Sequence, residues 1–389
     1  MQFKDVAGLA DVKSRLIKSH RDNRVPHAQM FLASTGGGGL PLAFAFAQFL
    51  FCENPTDDDS CGACPACRKV SGLVYPDLHL SFPTVSIPGA DKPSVSDDFV
   101  KWWRADVLSN PYLGVSEWLQ HATAEVSDAK QTKQGNITAR ECREIIRKLN
   151  YKTFEAPIKV LVIWLAEHLR ESGNILLKLL EEPPEGTYII LVAHDQNQIL
   201  PTILSRTQLV RLNPLTDEDV TAYLVSKLAQ PERKAMDIAR IADGNLTSAI
   251  AMIGDAEHKH AQLFKLWMRG CFRDDPATLV PWVERFAELP REEQKTLLAY
   301  GLHYFRESLI IPHLGTDRLR LFDEEREGAA YLARELGTRQ FELIAGRLDE
   351  AMFHLERNAN PKILMLDVSL NVAAILAGTY VGEEQPVLS

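Results

Sequence analysis

The sequence predicts an α/β N-terminal domain with a mostly parallel sheet and a phosphate-type loop, carrying a small cysteine module, followed by a wholly helical second half. Three observations carry this. Residues 31–47 read FLASTGGGGLPLAFAFA, an apolar run ending in a glycine loop that opens an apolar helix. That is the strand–loop–helix layout of a phosphate-binding loop. Two further apolar runs, Lys159–Leu165 and Tyr188–Ala193, alternate with helical text, as strands buried on both faces do. Beyond Asn213-Pro214-Leu215 nearly everything has helical periodicity.

Residues 7–20 place apolar and charged positions at helical spacing, predicting an entrance helix. In the loop that follows, a working site needs a Lys for the β/γ-phosphates and a Ser or Thr for Mg²⁺. Those positions hold Gly39 and Leu40, with Pro41 next, so Gly36, Gly37, Gly38 and Gly39 form a degenerate loop expected to hold no catalytic nucleotide. The helix runs to about Phe51. Four of the six cysteines then crowd into residues 52–67: Cys52, Cys61, Cys64 and Cys67. Four thiolates close a tetrahedral Zn²⁺ site at about 2.3 Å per bond and leave no open position, so the zinc is expected to be structural. His79 is nearby and not needed. From 81 to 135 the text is irregular, a long insertion with a short helix around Phe99–Leu108. Its Trp102, Trp103, Tyr112 and Trp118 offer either an interaction surface or, as is expected here, a local hydrophobic mini-core under a long loop.

Thr138 is the expected N-cap of a helix to about Leu149. In the buried strand VLVIWL a working site ends on an Asp for Mg²⁺ and a Glu for water. Here those positions are Trp164 and Leu165, and Glu167, two residues on, projects elsewhere. Both halves of a nucleotide-hydrolysing apparatus are thus replaced. A helix over Ser172–Leu180 stops at Glu181-Glu182-Pro183-Pro184. Residues 200–212 give a turn and then a strand. Between them, spacing alone leaves Arg206 either a surface loop residue or a guanidinium reaching a neighbour's γ-phosphate. Residues 216–256 form a small helical cluster, and 257–381 four or five amphipathic helices, among them Gln262–Cys271, Glu292–Ile311 and Phe341–Arg357. The acidic end beyond Val381 is expected to fray.

The chain has 389 residues, 46% of them hydrophobic, and a formal net charge of −9. Strong independent DNA binding needs clustered Lys and Arg, so any service to nucleic acid is expected within an assembly. The first residues lack a signal peptide's apolar core, and no run approaches the roughly 20 apolar residues of a membrane span. A soluble, cytoplasmic protein without membrane contact is expected.

Together these residues resemble the bacterial DNA polymerase III clamp-loader family. Four signatures carry the resemblance: the block His27–Ala47 with its degenerate loop, the cysteine cluster just after the first loop helix, NILLKLLEEPPEGTYIILVAH at 174–194, and LPTILSRT at 200–207. The last looks like the family's serine-arginine-cysteine motif, with Ser205, Arg206 and Thr207 in its three positions. The strong likeness covers about residues 1–215 apart from the insertion. It implies an AAA+ fold. A degenerate AAA+ domain would span 1–212, with a zinc module at 52–67 and the insertion at 81–135. A helical lid would span 213–256 and a helical collar 257–389. It also implies a hetero-pentameric ring with the motor subunits and the delta subunit, acting on the sliding clamp and primer-template DNA. In that ring this chain would be a non-catalytic member, and Arg206 would act in trans on ATP bound by the neighbouring subunit. Active lids carry an Arg where this chain has Ser248. Two readings compete with this one: an active AAA+ ATPase of the motor type, opposed by Gly39, Trp164 and Leu165, and a stand-alone zinc-dependent nucleic-acid binder, opposed by the acidic balance.

Overall fold

Five strands form one parallel sheet in the order β2-β3-β4-β1-β5. The computed structural model describes residues 1–127, 133–253, 256–315, 319–321, 323–357 and 359–380, so the acidic end beyond Val381 lies outside the described residues. They divide into two compact units that meet between Ile250 and Ala251.

In the first unit α1 (Ala10–Arg21) leads to β1 (Ala28–Leu32) and, through the glycine loop, to α2 (Gly39–Phe51). All thirteen residues of α2 are buried, as expected of a helix that is apolar all round. Then come α3 (Pro65–Ser71), β2 (Leu78–Ser81), α4 (Ser96–Ser109), α5 (Val115–Val126), α6 (Ala139–Asn150) and β3 (Lys159–Trp164). The Thr138 hydroxyl caps α6 by accepting from the Glu141 N–H at 3.3 Å. The unit continues with α7 (Leu177–Glu181), β4 (Thr187–Ala193), α8 (Pro201–Leu204) and β5 (Gln208–Arg211). Successive strand residues face opposite sides of the sheet. Phe31, Val162, Trp164 and Val192 enter a core shared with α2, while Met30, Leu161, Ile163 and Leu191 enter a second core shared with α6. This two-faced burial is the parallel α/β architecture the sequence predicts.

Two local expectations are corrected. The insertion holds two helices, α4 and α5, and its aromatics do not make a separate mini-core. Trp103 and Trp118 belong to the same core as Phe31 and Phe46. Trp103 stacks on Phe82 with centroids 4.2 Å apart and lies 5.9 Å from Trp164. The buried Trp164 indole needs apolar cover, and the insertion supplies it. The expected helix over 172–180 is a 3-10 stretch, Ala166–Leu176, kinked at Arg170, followed by the short α7. Ser172, Gly173 and Asn174 are poor helix formers, and a β-carbon on Gly173 would fall 2.7 Å from Ile203 Cδ1.

Helices α9 (Asp217–Leu228), α10 (Glu232–Ala242) and α11 (Leu246–Ala251) complete this side of the chain. The second unit has six helices among the described residues, more than the four or five expected. They are α12 (Ala256–Arg273), α13 (Pro276–Glu288), α14 (Arg291–Leu314), α15 (Asp323–Glu335), α16 (Thr338–Glu356) and α17 (Pro361–Leu376). Pro276 and Pro361 open helices at their first turn, and Pro290 stands just before one, which cuts the text into more pieces. Their shared core includes Phe264, Trp267, Trp282, Phe286 and Phe305, and the Trp267 indole N–H donates to Ser369 Oγ at 2.8 Å.

Candidate functional site

The glycine loop joins β1 to the N-terminus of α2, the strand–loop–helix order that phosphate sites share. Gly36 and Gly38 have φ of +70° and +88°, a region side chains disfavour, and Gly38 is the left-handed N-cap of α2. Yet Gly37 to Pro41 are buried. A β-carbon on Gly39, the lysine position, would lie 2.9 Å from Val192 Cγ1 and 3.3 Å from Ala33 Cβ. One on Gly38 would meet Leu9 Cδ1 at 3.2 Å and Tyr112 Cε1 at 3.7 Å. One on Gly36 would strike Asn245 Oδ1 at 2.0 Å and the backbone N of Leu246 and Thr247 at 2.7 Å. The Leu246 N–H donates to Gly36 O at 3.2 Å. Ser248, next to this contact, donates its N–H to Asn245 Oδ1 at 3.1 Å. The space around the loop is thus lined by the protein's own side chains.

At the end of β3, Trp164 and Leu165 are each 1% exposed and offer no metal ligand. Glu167 does project elsewhere: its Oε1 accepts from the His194 N–H at 3.2 Å, and its buried Oε2 has no hydrogen-bond partner among the described residues. Burial pushes this carboxyl up to about 7 from 4.5. The folded state therefore prefers the neutral acid. Its stabilisation is complete below about pH 4.5 and is lost as pH rises through about 7. Glu167→Gln, which cannot ionise, should match the parent near pH 4 and exceed it above pH 8 by up to about 3 kcal/mol. Urea denaturation at the two pH values measures the difference; an equal gap at both would show that Glu167 does not ionise against the fold.

Arg206 follows α8 at the rim of the sheet. Its Nε donates to Glu181 Oε1 at 2.5 Å, its Nη2 pairs with the same carboxylate oxygen, and its Nη1 donates to Thr202 O at 2.9 Å and Ser205 Oγ at 3.3 Å. The Arg206 side chain is 31% exposed and that of Glu181 48%. Ser205 itself is exposed. The guanidinium is held in one orientation by its own chain and still faces solvent.

The four cysteines converge. The Sγ atoms of Cys52, Cys61, Cys64 and Cys67 lie within 4.8 Å of one another. A tetrahedron with Zn–S bonds of about 2.3 Å needs sulfurs about 3.8 Å apart, and Cys61 Sγ and Cys67 Sγ are 3.9 Å apart. Backbone N–H groups point at the sulfurs: Cys61 N at Cys52 Sγ (3.2 Å), Cys64 N at Cys61 Sγ (3.3 Å) and Cys67 N at Cys64 Sγ (3.4 Å). Donors from Ala63 and Cys64 pull the Cys61 thiol down to about 6, while burial pushes Cys67 up. The donor set suits a thiophilic dication. His79 stands on β2 rather than in this cluster, and Cys142 and Cys271 are buried elsewhere.

Two participants escape a reading of motifs. Tyr112 and Thr247 meet over the loop across 135 positions of sequence; Tyr112 stands out only as one of the insertion's aromatics, its place over the loop unforeseen, and nothing local marks Thr247. Glu181 is more legible, since it opens the Glu-Glu-Pro-Pro stop.

With this geometry in place, comparisons with known proteins add the lineage. The sequence profile of the family described as "DNA polymerase III, delta subunit" matches residues 8–216. DNA polymerase III subunit delta' of Escherichia coli K12 is 23% identical over 239 residues, which cover 61% of this chain and 58% of that protein. The delta' subunit of Yersinia pestis is 26% identical over 194 residues, 49% of this chain and 43% of that one. Subunit tau/gamma of Haemophilus influenzae is 25% identical over 260 residues, 65% of this chain and 30% of that protein. The chain thus spans 30% to 58% of the length of these relatives. No helix among the described residues is long and apolar enough to cross a membrane.

Proposed function

The chain belongs to the DNA polymerase III delta-subunit family, and we propose that it is the delta'-type member of a clamp-loader ring, which hydrolyses nothing itself and completes a neighbour's ATP site. Identity to delta'-named and tau/gamma-named relatives differs by no more than three percentage points, so the residues themselves decide between the two types. The observation that carries this reading is the closed loop: no lysine stands at Gly39, and a β-carbon there would already press on Val192 and Ala33. Trp164 and Leu165 support it from the other side of the site. Developing phosphoryl charge would find no metal and no positioned water here.

Arg206 supplies what a neighbour lacks. Its pair with Glu181 is partly exposed, so leaving it costs no more than about 1 kcal/mol. A γ-phosphate at the next subunit would repay that through charge-assisted, two-pronged hydrogen bonds. We read α9–α11 as the lid and the six helices of the second unit as the collar through which the ring assembles. Ile363, Leu366 and Leu370, exposed by 70%, 38% and 54% at helical spacing on α17, support a subunit-facing stripe there. Cys52, Cys61, Cys64 and Cys67 would hold one zinc, which fixes the module's fold.

The isolated chain should show no MgATP turnover above buffer. Gly39→Lys should not restore it and should destabilise the chain by about 1–3 kcal/mol, because the new side chain starts inside van der Waals contact of Val192. A phosphate-release assay with thermal melting checks both. Turnover by the parent chain that disappears on substituting Gly38 would return the molecule to the active-motor reading.

A further inference from the structure

The insertion has a position but, so far, no role. It packs in two places. Trp103 and Trp118 complete the core beside Trp164. Between α4 and α5 the chain then turns, with the Tyr112 N–H donating to Asn110 Oδ1 at 3.0 Å, and Tyr112 is carried to the glycine loop. There it touches four separate segments. Its hydroxyl accepts from the Ala7 N–H at 2.8 Å. Its ring edge lies against Gly38, where an added β-carbon would sit 3.7 Å from Cε1. Its ring packs at 73° on Tyr223 of α9, with centroids 5.0 Å apart. Its carbonyl accepts from Thr247 Oγ1, on α11, at 2.7 Å. Tyr112 is 3% exposed. Nearby, a β-carbon on Gly114 would come 3.0 Å from Thr247 Cγ2, so the backbones lie close.

A nucleotide in a phosphate-loop protein joins the loop to whatever closes over it. Here one residue touches the loop, the N-terminal segment and α9 with its side chain, and α11 with its backbone carbonyl. We propose that the insertion is an internal ligand: Tyr112 occupies the place between the loop and α9–α11 and locks those helices in one position without nucleotide. The chemistry fits. The phenol ring shares the space over Gly38 with Leu9 and Val6, its hydroxyl satisfies a backbone donor that burial would otherwise orphan, and edge-on contact with a second tyrosine adds a geometric preference. The proposal goes beyond the ring-subunit reading and does not depend on Arg206 acting in trans.

Hydrogen–deuterium exchange on the full, zinc-loaded chain tests it. Exchange reports local opening segment by segment. Tyr112→Ala, which keeps the carbonyl that Thr247 donates to, should speed exchange in α9 and in residues 5–9 by at least about tenfold, while β1, β3 and β4 keep their parent rates. Tyr112→Phe, which loses just the hydroxyl, should affect residues 5–9 and leave α9–α11 within about twofold of the parent. If Tyr112→Ala does not fold, Thr247→Val carries the test, since it removes one hydrogen bond and keeps the side chain's shape. It should raise exchange in α11 severalfold. Millimolar MgATP added to the parent chain should change no rate in residues 33–41. Unchanged exchange in α9 on removing the Tyr112 ring would overturn the proposal, as would unchanged α11 rates in the Thr247 variant. Protection of the glycine loop by MgATP would overturn it too.

Discussion

Cys67→Ser is expected to strip the zinc from the chain and unfold residues 53–71 while the sheet stays intact. Zinc binding to a four-thiolate site contributes folding free energy, roughly 10–16 kcal/mol in small zinc modules near pH 7. The module has little else to hold it. It contains one short helix, α3, whose Ala66, Cys67 and Val70 reach the core, and a loop pinned by Gln48 Nε2 donating to Ser60 Oγ at 2.9 Å and by the Phe3 N–H donating to Asp59 Oδ1 at 2.9 Å. Without the metal, four sulfurs within 4.8 Å of one another have no common partner, and thiolates among them repel. Loss of the module should also free Met1–Lys4, because Asp59 accepts from the N–H groups of both Phe3 and Lys4. Elemental analysis of the purified chain should give one zinc in the parent and less than about half an equivalent in Cys67→Ser, with accelerated exchange confined to the module and the first residues. A parent chain prepared with zinc that holds no metal, yet keeps this segment protected, would show that the cysteines are merely packed thiols.

What the sequence reveals and what it hides follow from the range of the interactions. The strands β1, β3 and β4 are legible because each is buried on both faces and reads as an unbroken apolar run. The four thiols are legible because metal ligands on tight turns must be close in sequence. The proposed loss of nucleotide chemistry rests on residues legible in the sequence, because Gly39, Trp164 and Leu165 stand in positions whose usual occupants have a known task. The aromatic insertion is misread as a satellite mini-core because Trp103, besides stacking on Phe82 within the insertion, finds Trp164 on β3, 61 positions away. The contact of Tyr112 with Thr247 spans 135 positions and involves residues ordinary in themselves. The kinked 3-10 stretch after β3 depends on left-handed Leu165 and Arg170, conformations no composition announces for such residues.

Arg206 carries the central claim. Its effect should appear in the assembled ring and nowhere else. Arg206→Ala removes an exposed ion pair worth no more than about 1 kcal/mol, so the chain should fold, bind zinc and join its partners as before. At the neighbour's ATP site the loss is different in kind. A finger in trans stabilises charge that exists in the transition state, and such fingers accelerate turnover by about 10³ to 10⁵. Arg206→Lys should recover little, because an ammonium lacks the planar fork that Arg206 already shows against Glu181. The most direct measurement is DNA- and clamp-stimulated ATP turnover by rings rebuilt with the parent chain, Arg206→Ala or Arg206→Lys, each checked for normal assembly. The account predicts that both variants assemble and that both lose the turnover of the one site facing Arg206, together with clamp loading. Full rates from both variants in normally assembled rings would make Arg206 an ordinary surface residue and contradict the account.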